Sequence, residues 1–283
     1  PPKYCLHVWK VNNMPEFTGA TDENQIGGLV DYINGGLKPD SWWIDAGWYK
    51  CDGNWPYVGS WYPDTDRFPN GLKTIGDKCK EEGVGFLLWF EPEQVVYGTR
   101  LHTEHPDWLL YADGVPGANK DTGILNLGIT ECCNYMIHHI TNIIKTSGIT
   151  VYRQDFNFIP EPYWINNEAE DRIGALENFH QQGYLRYWDG LLENNPGLII
   201  DSCAAGGRRN DLETMRRNAV ALHYTDVGYG IPIIKQKQHR EMFEWIPYFR
   251  AHNMNWDYPD KNQPDSYAFH TAMAPALTDM ISH

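Results

Sequence analysis

The sequence predicts an α/β fold, a (β/α)8 TIM barrel, on three observations. Apolar runs of strand length alternate with longer segments of helical apolar spacing, the βα repeat of a parallel sheet. Most of these runs end in polar or acidic residues, as strands do when their C-terminal ends open onto a functional face. The 283 residues contain no Gly/Ser linker and no low-complexity tract, so they read as one domain, and a barrel takes about 250 residues as a single unit.

Taken in order, the clear strand candidates are residues 5–11, 41–45, 85–90, 150–155, 198–203 and 219–224. Weaker candidates near 252–256 and 269–274 complete eight. Between them, residues 24–36, 72–82, 131–147, 178–194 and 240–250 have helix-compatible spacing, with Gly or Pro near several ends. Two connections that follow strands, 52–70 and 108–128, read as long and irregular, and βα loops build the active-site face of a barrel.

Composition excludes several function classes. Hydrophobic residues are 42% and charged residues 21%, enough apolar material for a sizeable core and far from a disordered composition. Lys and Arg number 23 against 37 Asp and Glu, and the net charge of −14 repels nucleic-acid backbones and anionic lipid surfaces. No uninterrupted apolar run reaches the roughly 18 residues of a membrane-spanning helix. The start at Pro1-Pro2-Lys3, without Met, reads as a domain excised from a longer chain and leaves export open. The six cysteines show no zinc-ligand spacing and read mainly as free thiols, which leans towards a reducing, cytoplasmic compartment.

The carboxylates carry the chemistry. Asp45 closes Trp42-Trp43-Ile44, Glu91 and Glu93 follow Leu87-Leu88-Trp89-Phe90, Asp155 closes Val151-Tyr152-Arg153-Gln154, and Asp226 follows His223-Tyr224-Thr225. In a parallel barrel these ends share one mouth, so the acids converge. Converging acids hold a divalent metal or form the carboxylate pair that cleaves a glycosidic bond, while a single strand-end acid can equally cap the next helix. Trp42, Trp43, Trp48, Trp55, Trp61, Trp89 and Trp108 near the same loops favour a sugar, although each alone reads more readily as core.

Other chemistries have weak signals. His102 and His105 are three apart, not in the His-Glu-x-x-His zinc pattern, and adjacent His138 and His139 point in different directions on a helix. There is no Gly-x-Ser-x-Gly elbow, and Cys203 has no partnered His motif for a nucleophile. The run from Asp201 to Arg208 is neither a phosphate loop nor a dinucleotide fingerprint.

Five blocks, in order over nearly the whole chain, resemble the melibiase-type α-galactosidases of glycoside hydrolase family 36. Trp43-Ile44-Asp45-Ala46-Gly47-Trp48-Tyr49 resembles the family's Leu-Asp-Asp-Gly-Trp-Phe block. Trp89-Phe90-Glu91-Pro92-Glu93 with His105-Pro106-Asp107-Trp108 is similar to its Trp-Phe-Glu-Pro-Glu-Met and His-Pro-Asp-Trp pair, and Ile124-Leu125-Asn126-Leu127 to Val-Leu-Asp-Leu. Tyr152-Arg153-Gln154-Asp155-Phe156-Asn157 resembles Lys-Trp-Asp-Met-Asn. Asp201-Ser202-Cys203-Ala204-Ala205-Gly206-Gly207-Arg208 resembles Glu-Ser-Cys-Ala-Ser-Gly-Gly-Gly-Arg, and Tyr224-Thr225-Asp226 resembles Thr-Ser-Asp.

The resemblance implies a retaining glycosidase with Asp155 as nucleophile and Asp226 as acid/base, using no metal and no cofactor. It implies sugar contacts from Asp45, Lys120, Arg153, Cys203, Gly206 and His223, with Trp89 as a stacking wall. The implied partner is a galactose-containing oligosaccharide or glycoconjugate, and family members often oligomerise and carry β-domains on both sides of the barrel. Four positions depart from the family pattern: Ala46 replaces the second Asp, Arg153 a Lys, His223 a Trp and Val227 an Asp. These departures leave α-N-acetylgalactosaminide hydrolysis or transglycosylation as alternatives. A non-catalytic sugar-binding barrel is the reading from another class, and the presence of both acids argues against it.

Overall fold

The structure is a computed structural model that describes residues 4–11, 14–15, 17–51, 57–205, 208–209, 211–217, 232–244, 250–254, 265–271 and 276–282. Its main sheet contains seven parallel strands: β1 (Tyr4–Val11), β2 (Ser41–Ile44), β3 (Gly85–Phe90), β4 (Val151–Gln154), β5 (Ile199–Ser202), β6 (Arg250–Met254) and β7 (Ala276–Ser282). They pair in the order β5-β4-β3-β2-β1-β7-β6, and the two-residue strand Met14–Pro15 adds antiparallel to β1. Every other pairing is parallel, and the first strand lies against the last in the register Tyr4↔Leu277. Sequential parallel strands that return the last to the first form the sheet of a (β/α)8 barrel. The expected strand at 219–224 lies outside the described residues, between β5 and β6 in the chain.

Strands β2, β4 and nearly all of β3 are buried residue after residue, as in a sheet covered on one face by helices and filled on the other by barrel side chains. The outer layer includes α1 (Asp22–Asn34), α2 (Lys73–Glu81), α3 (Thr130–Ser147) and α4 (Ala175–Asn194). Helix α1 starts where Thr21 Oγ1 accepts from the Asn24 amide at 3.1 Å and Asn24 returns the bond at 2.9 Å, a reciprocal cap. Helix α3 buries Cys132, Met136, Ile137, Ile140, Ile143 and Ile144 on one face and stops at Gly148, whose φ of 70° suits a left-handed cap.

Helix α4 packs against α3, and Gly183 lets it approach the chain before α3. A Cβ at 183 would run into the Leu127 carbonyl, which is backbone and cannot rotate away. Gly183→Ala is therefore expected to destabilise the barrel by about 1–3 kcal/mol or more, read as a lower thermal midpoint. An unchanged melt would mean that this helix seat is loose.

Three expectations are corrected. The helix expected at 240–250 is instead Pro232–Phe243, and Arg250 opens β6. The strand expected at 269–274 overlaps the helix Ser266–Thr271, and the strand follows at Ala276–Ser282, just beyond Pro275. Short runs of this kind do not distinguish helix from strand. Within the connection 108–128, expected to be irregular, only Leu109–Leu110 and Thr122–Leu125 form strands: they belong to a small antiparallel sheet in which Thr122–Leu125 pairs with both Gln94–Val96 and Leu109–Leu110.

Candidate active site

The ends of β3, β4 and β5 are held level by backbone hydrogen bonds just past the strands. The Asp155 amide donates to the Phe90 carbonyl and the Cys203 amide to that of Gln154, each at 2.8 Å. Glu91, Asp155 and Cys203 therefore emerge side by side at the C-terminal face, the functional face of a parallel barrel.

Asp155 is only 8% exposed, and its carboxylate is surrounded by donors. Oδ1 accepts from the amides of Phe156 at 2.8 Å, Ala204 at 3.1 Å and Ala205 at 3.2 Å, while Oδ2 accepts from the Trp89 indole at 3.1 Å. Ala204 and Ala205 have φ of 75° and 46°, left-handed values that L-alanine rarely adopts. That turn aims two successive amides at one oxygen, a backbone nest for an anion. Burial alone would raise the pKa of Asp155. The Arg153 guanidinium, the Asn157 and Cys203 side chains and the Phe156 amide outweigh it and hold the carboxyl below its ordinary value.

Arg153 is buried in β4, with Nη1 on Asp201 Oδ2 at 3.1 Å and its guanidinium 4.5 Å from the centre of the Trp43 ring. Burial opposes its charge, but the fields of Cys203, Asp201, Asp155 and Asp45 raise its pKa well above the ordinary value. Four of the expected site residues, Asp45, Arg153, Asp155 and Cys203, thus share one electrostatic neighbourhood. Asp45 is half-buried and its Oδ1 accepts from the Ala46 amide at 2.7 Å.

Two further acids next to this cluster, Glu91 and Glu93, are fully buried. Glu91 accepts from the Asn157 amide at 2.5 Å and from its Nδ2 at 3.3 Å. Burial first, and then the charge of Asp155, push its pKa well above the ordinary carboxylate value. Glu93 lies between His180 Nε2 at 2.8 Å, Gln154 Nε2 at 2.9 Å and the two Nη atoms of Arg209 at 2.5 and 2.8 Å. Burial acts against its charge, yet Arg209 and His180 bring it down to about 2.

The raised pKa of Glu91 has a consequence for stability. Between the unfolded value of about 4.5 and the higher folded value, the folded chain keeps a proton that the unfolded chain has lost, so stability falls as pH rises through that window. Glu91→Gln removes this term. The variant should therefore gain on the wild type from pH 5 to pH 8, by at most about 1.4 kcal/mol per pH unit in chemical denaturation. A constant difference across that range would show that Glu91 ionises normally.

Trp89 is placed differently from expectation. Its ring is 1% exposed, packs against Trp61 and donates to Asp155, so it orients the carboxylate rather than offering a stacking wall. Trp42, Trp43, Trp48 and Trp61 are likewise buried, with Trp48 donating to the Trp89 carbonyl at 2.9 Å, and Trp108 is 4% exposed. Tryptophan beside an acidic strand end here mostly means core. Lys120 is 92% exposed with Asp121 3.8 Å away, and the structure does not bring it to the buried acids. Gly206, His223, Asp226 and Trp55 lie outside the described residues.

Sequence reasoning passed over Asn157, Gln154, His180, Arg209 and the Ala204–Ala205 turn. Arg209 follows a Gly-Gly pair next to the acidic strand end, which is a usable signal. Two alanines give none, because nothing in their chemistry announces a left-handed backbone. The five cysteines whose side chains are described, Cys51, Cys79, Cys132, Cys133 and Cys203, are buried thiols. No group of three metal-ligating side chains occurs among the described residues.

Comparison with known proteins places this geometry in a family. The chain is 28% identical over 205 residues to the α-galactosidase Mel36A of Lactobacillus acidophilus, covering 71% of this chain and 28% of that protein. It is 31% identical over 179 residues to an α-galactosidase of Escherichia coli, covering 62% and 24%. The chain thus spans about a quarter of the length of the curated relatives it matches. Among solved structures, a variant of the α-galactosidase AgaA of Geobacillus stearothermophilus in complex with raffinose superposes with a TM-score of 0.83 at 20% identity, over 99% of this chain and 39% of that one, a likeness of fold. The melibiase family pattern matches residues 21–231, most of the barrel and all of the acids described above, and the chain belongs to the melibiase family.

Proposed function

We propose that this barrel is the catalytic domain of a retaining glycoside hydrolase that cleaves terminal α-galactosides, with Asp155 as nucleophile and Asp226 as acid/base. The observation that carries the reading is the carboxylate of Asp155, buried at the barrel mouth, kept ionised and oriented by three amides, an indole and a buried arginine. The α-galactosidase relatives supply the substrate class.

In the first displacement the Asp155 carboxylate attacks the anomeric carbon, the bond from that carbon to the leaving oxygen breaks, and Asp226 gives its proton to that oxygen. The product is a β-galactosyl ester on Asp155. Asp226, now ionised, takes a proton from water, whose oxygen attacks the same carbon and frees the Asp155 carboxylate. Two inversions release α-galactose. Oδ1 is already saturated by three amides, so Oδ2, which faces the Trp89 indole, is the attacking atom.

The test is hydrolysis of 4-nitrophenyl α-galactoside by the full-length protein, followed by proton NMR. The α-anomer should appear first and mutarotate later. First release of the β-anomer would overturn retention. No hydrolysis of any α-galactoside, with turnover of the N-acetylated analogue, would change the substrate and leave the two acids in place.

A further inference from the structure

We propose that Arg209 is a positioning residue for the nucleophile: its ion pair with Glu93 and its stacking on Phe156 lock the Ala204–Ala205 turn in the left-handed form that presents two amides to Asp155. The proposal rests on Asp155 being the nucleophile.

A pair of left-handed alanines persists only where the surroundings over-determine it. Here the surroundings are two consecutive arginines on the far side of the turn. The Arg208 amide donates to the Ala204 carbonyl at 3.1 Å, and its Nη2 donates to the Phe156 carbonyl at 3.2 Å. Arg209 reaches the opposite way. Its guanidinium is sandwiched between the rings of Phe156 at 4.2 Å and Tyr184 at 4.4 Å, and its two Nη atoms grip Glu93.

Glu93 is itself immobilised, by His180 from α4 and by Gln154 from β4. Gln154 precedes Asp155 in the chain and Phe156 follows it. Arg209 therefore touches the residue after the nucleophile and, through Glu93, is tied to the residue before it. The same side chain anchors the loop that carries the nest. This one guanidinium fixes both halves of the contact, the acceptor from β4 and the donors beyond β5.

A purely structural arginine would change stability and little else. A positioning arginine changes the nucleophile. Arg209→Lys keeps a charge beside Glu93 but loses the planar fork and the stacked face. It should lower kcat/KM for 4-nitrophenyl α-galactoside by roughly 10- to 100-fold. With fewer amides on its carboxylate, Asp155 ionises at higher pH, so the acid limb of the kcat/KM profile should move up.

Adding Ala204→Gly and Ala205→Gly to Arg209→Lys should recover a substantial part of the loss, because glycine takes the left-handed turn without enforcement. Failure of the glycines to recover activity, or an acid limb that does not move in Arg209→Lys, would overturn the proposal. If Arg209→Lys does not fold, Tyr184→Leu removes one stacking face while leaving the ion pair; a smaller shift of the same sign supports the proposal and none overturns it. Asp155→Asn separates the two readings: residual full activity there sinks the nucleophile assignment, whereas an inactive Asp155→Asn with an unmoved Arg209 profile sinks only the positioning role.

Discussion

Asp155→Asn should lower kcat on 4-nitrophenyl α-galactoside by on the order of 10⁴-fold or more, the loss that follows from the proposed role of this carboxylate as the group that forms the covalent intermediate. The amide oxygen can still accept from Phe156, Ala204 and Ala205, so the nest is kept. The amide nitrogen, however, turns a donor towards the Trp89 indole N–H, and no charge remains to attack the anomeric carbon. Asp155→Gly, which opens room at the same place, gives the complementary result: azide should restore turnover and yield β-galactosyl azide, since the small anion enters from the side that the carboxylate vacated. An Asp155→Asn protein with more than a few per cent of wild-type kcat would remove Asp155 from the mechanism, whatever the hydrogen bonds around it.

The parts of this result that are legible in the sequence are those where local pattern and global position agree. Val151-Tyr152-Arg153-Gln154-Asp155 reads as a short strand with an acid at its end, and Asp155 sits at the end of a barrel strand surrounded by donors. The spacing of Cys132, Met136, Ile140 and Ile144 marks the buried face of α3, and Gly148 its end. Pattern fails where two structures share one pattern. Residues 269–274 carry no clear period, and only the fold decides that 269–271 are the end of a helix while the strand of this region begins at Ala276.

The site is half legible for a related reason. Carboxylates at strand ends are visible as letters, so the amino-acid pattern alone gathers Asp45, Glu91, Glu93 and Asp155, whereas Arg153 and Cys203 join them only through the family resemblance. What orders them is backbone geometry and long-range pairing. Arg209 and Glu93 are 116 positions apart, and the left-handed turn at Ala204 and Ala205 is a property of how the chain is anchored on either side. The tryptophans mislead because aromatic side chains near a sugar site and aromatic side chains in a barrel core have the same composition. Only burial tells them apart, and Trp89 is buried with its one polar atom spent on Asp155.

Glu93→Gln should be the most destabilising single change in the buried network, at about 3–5 kcal/mol, because it leaves the Arg209 cation inside the protein without its counter-charge. The neutral amide can accept from Arg209 on only one atom, and its own N–H₂ then faces either Arg209 or His180, both of which already point at that carboxylate. The pH dependence identifies the cause. In the wild type the folded pKa of about 2 lies below the unfolded value of about 4.5, so the stabilisation is fully present above 4.5 and is lost as pH falls towards 2. The gap between Glu93→Gln and wild type should therefore be widest near neutral pH and shrink between pH 5 and pH 3 in urea titrations. This is the reverse of Glu91, two residues earlier, whose raised pKa makes its substitution matter at high pH. Two glutamates on one turn with opposite slopes require different surroundings, a guanidinium fork and His180 for Glu93 and, for Glu91, burial beside the charged Asp155. A gap for Glu93→Gln that stays constant down to pH 3 would show that packing, and not the ion pair, holds this part of the barrel.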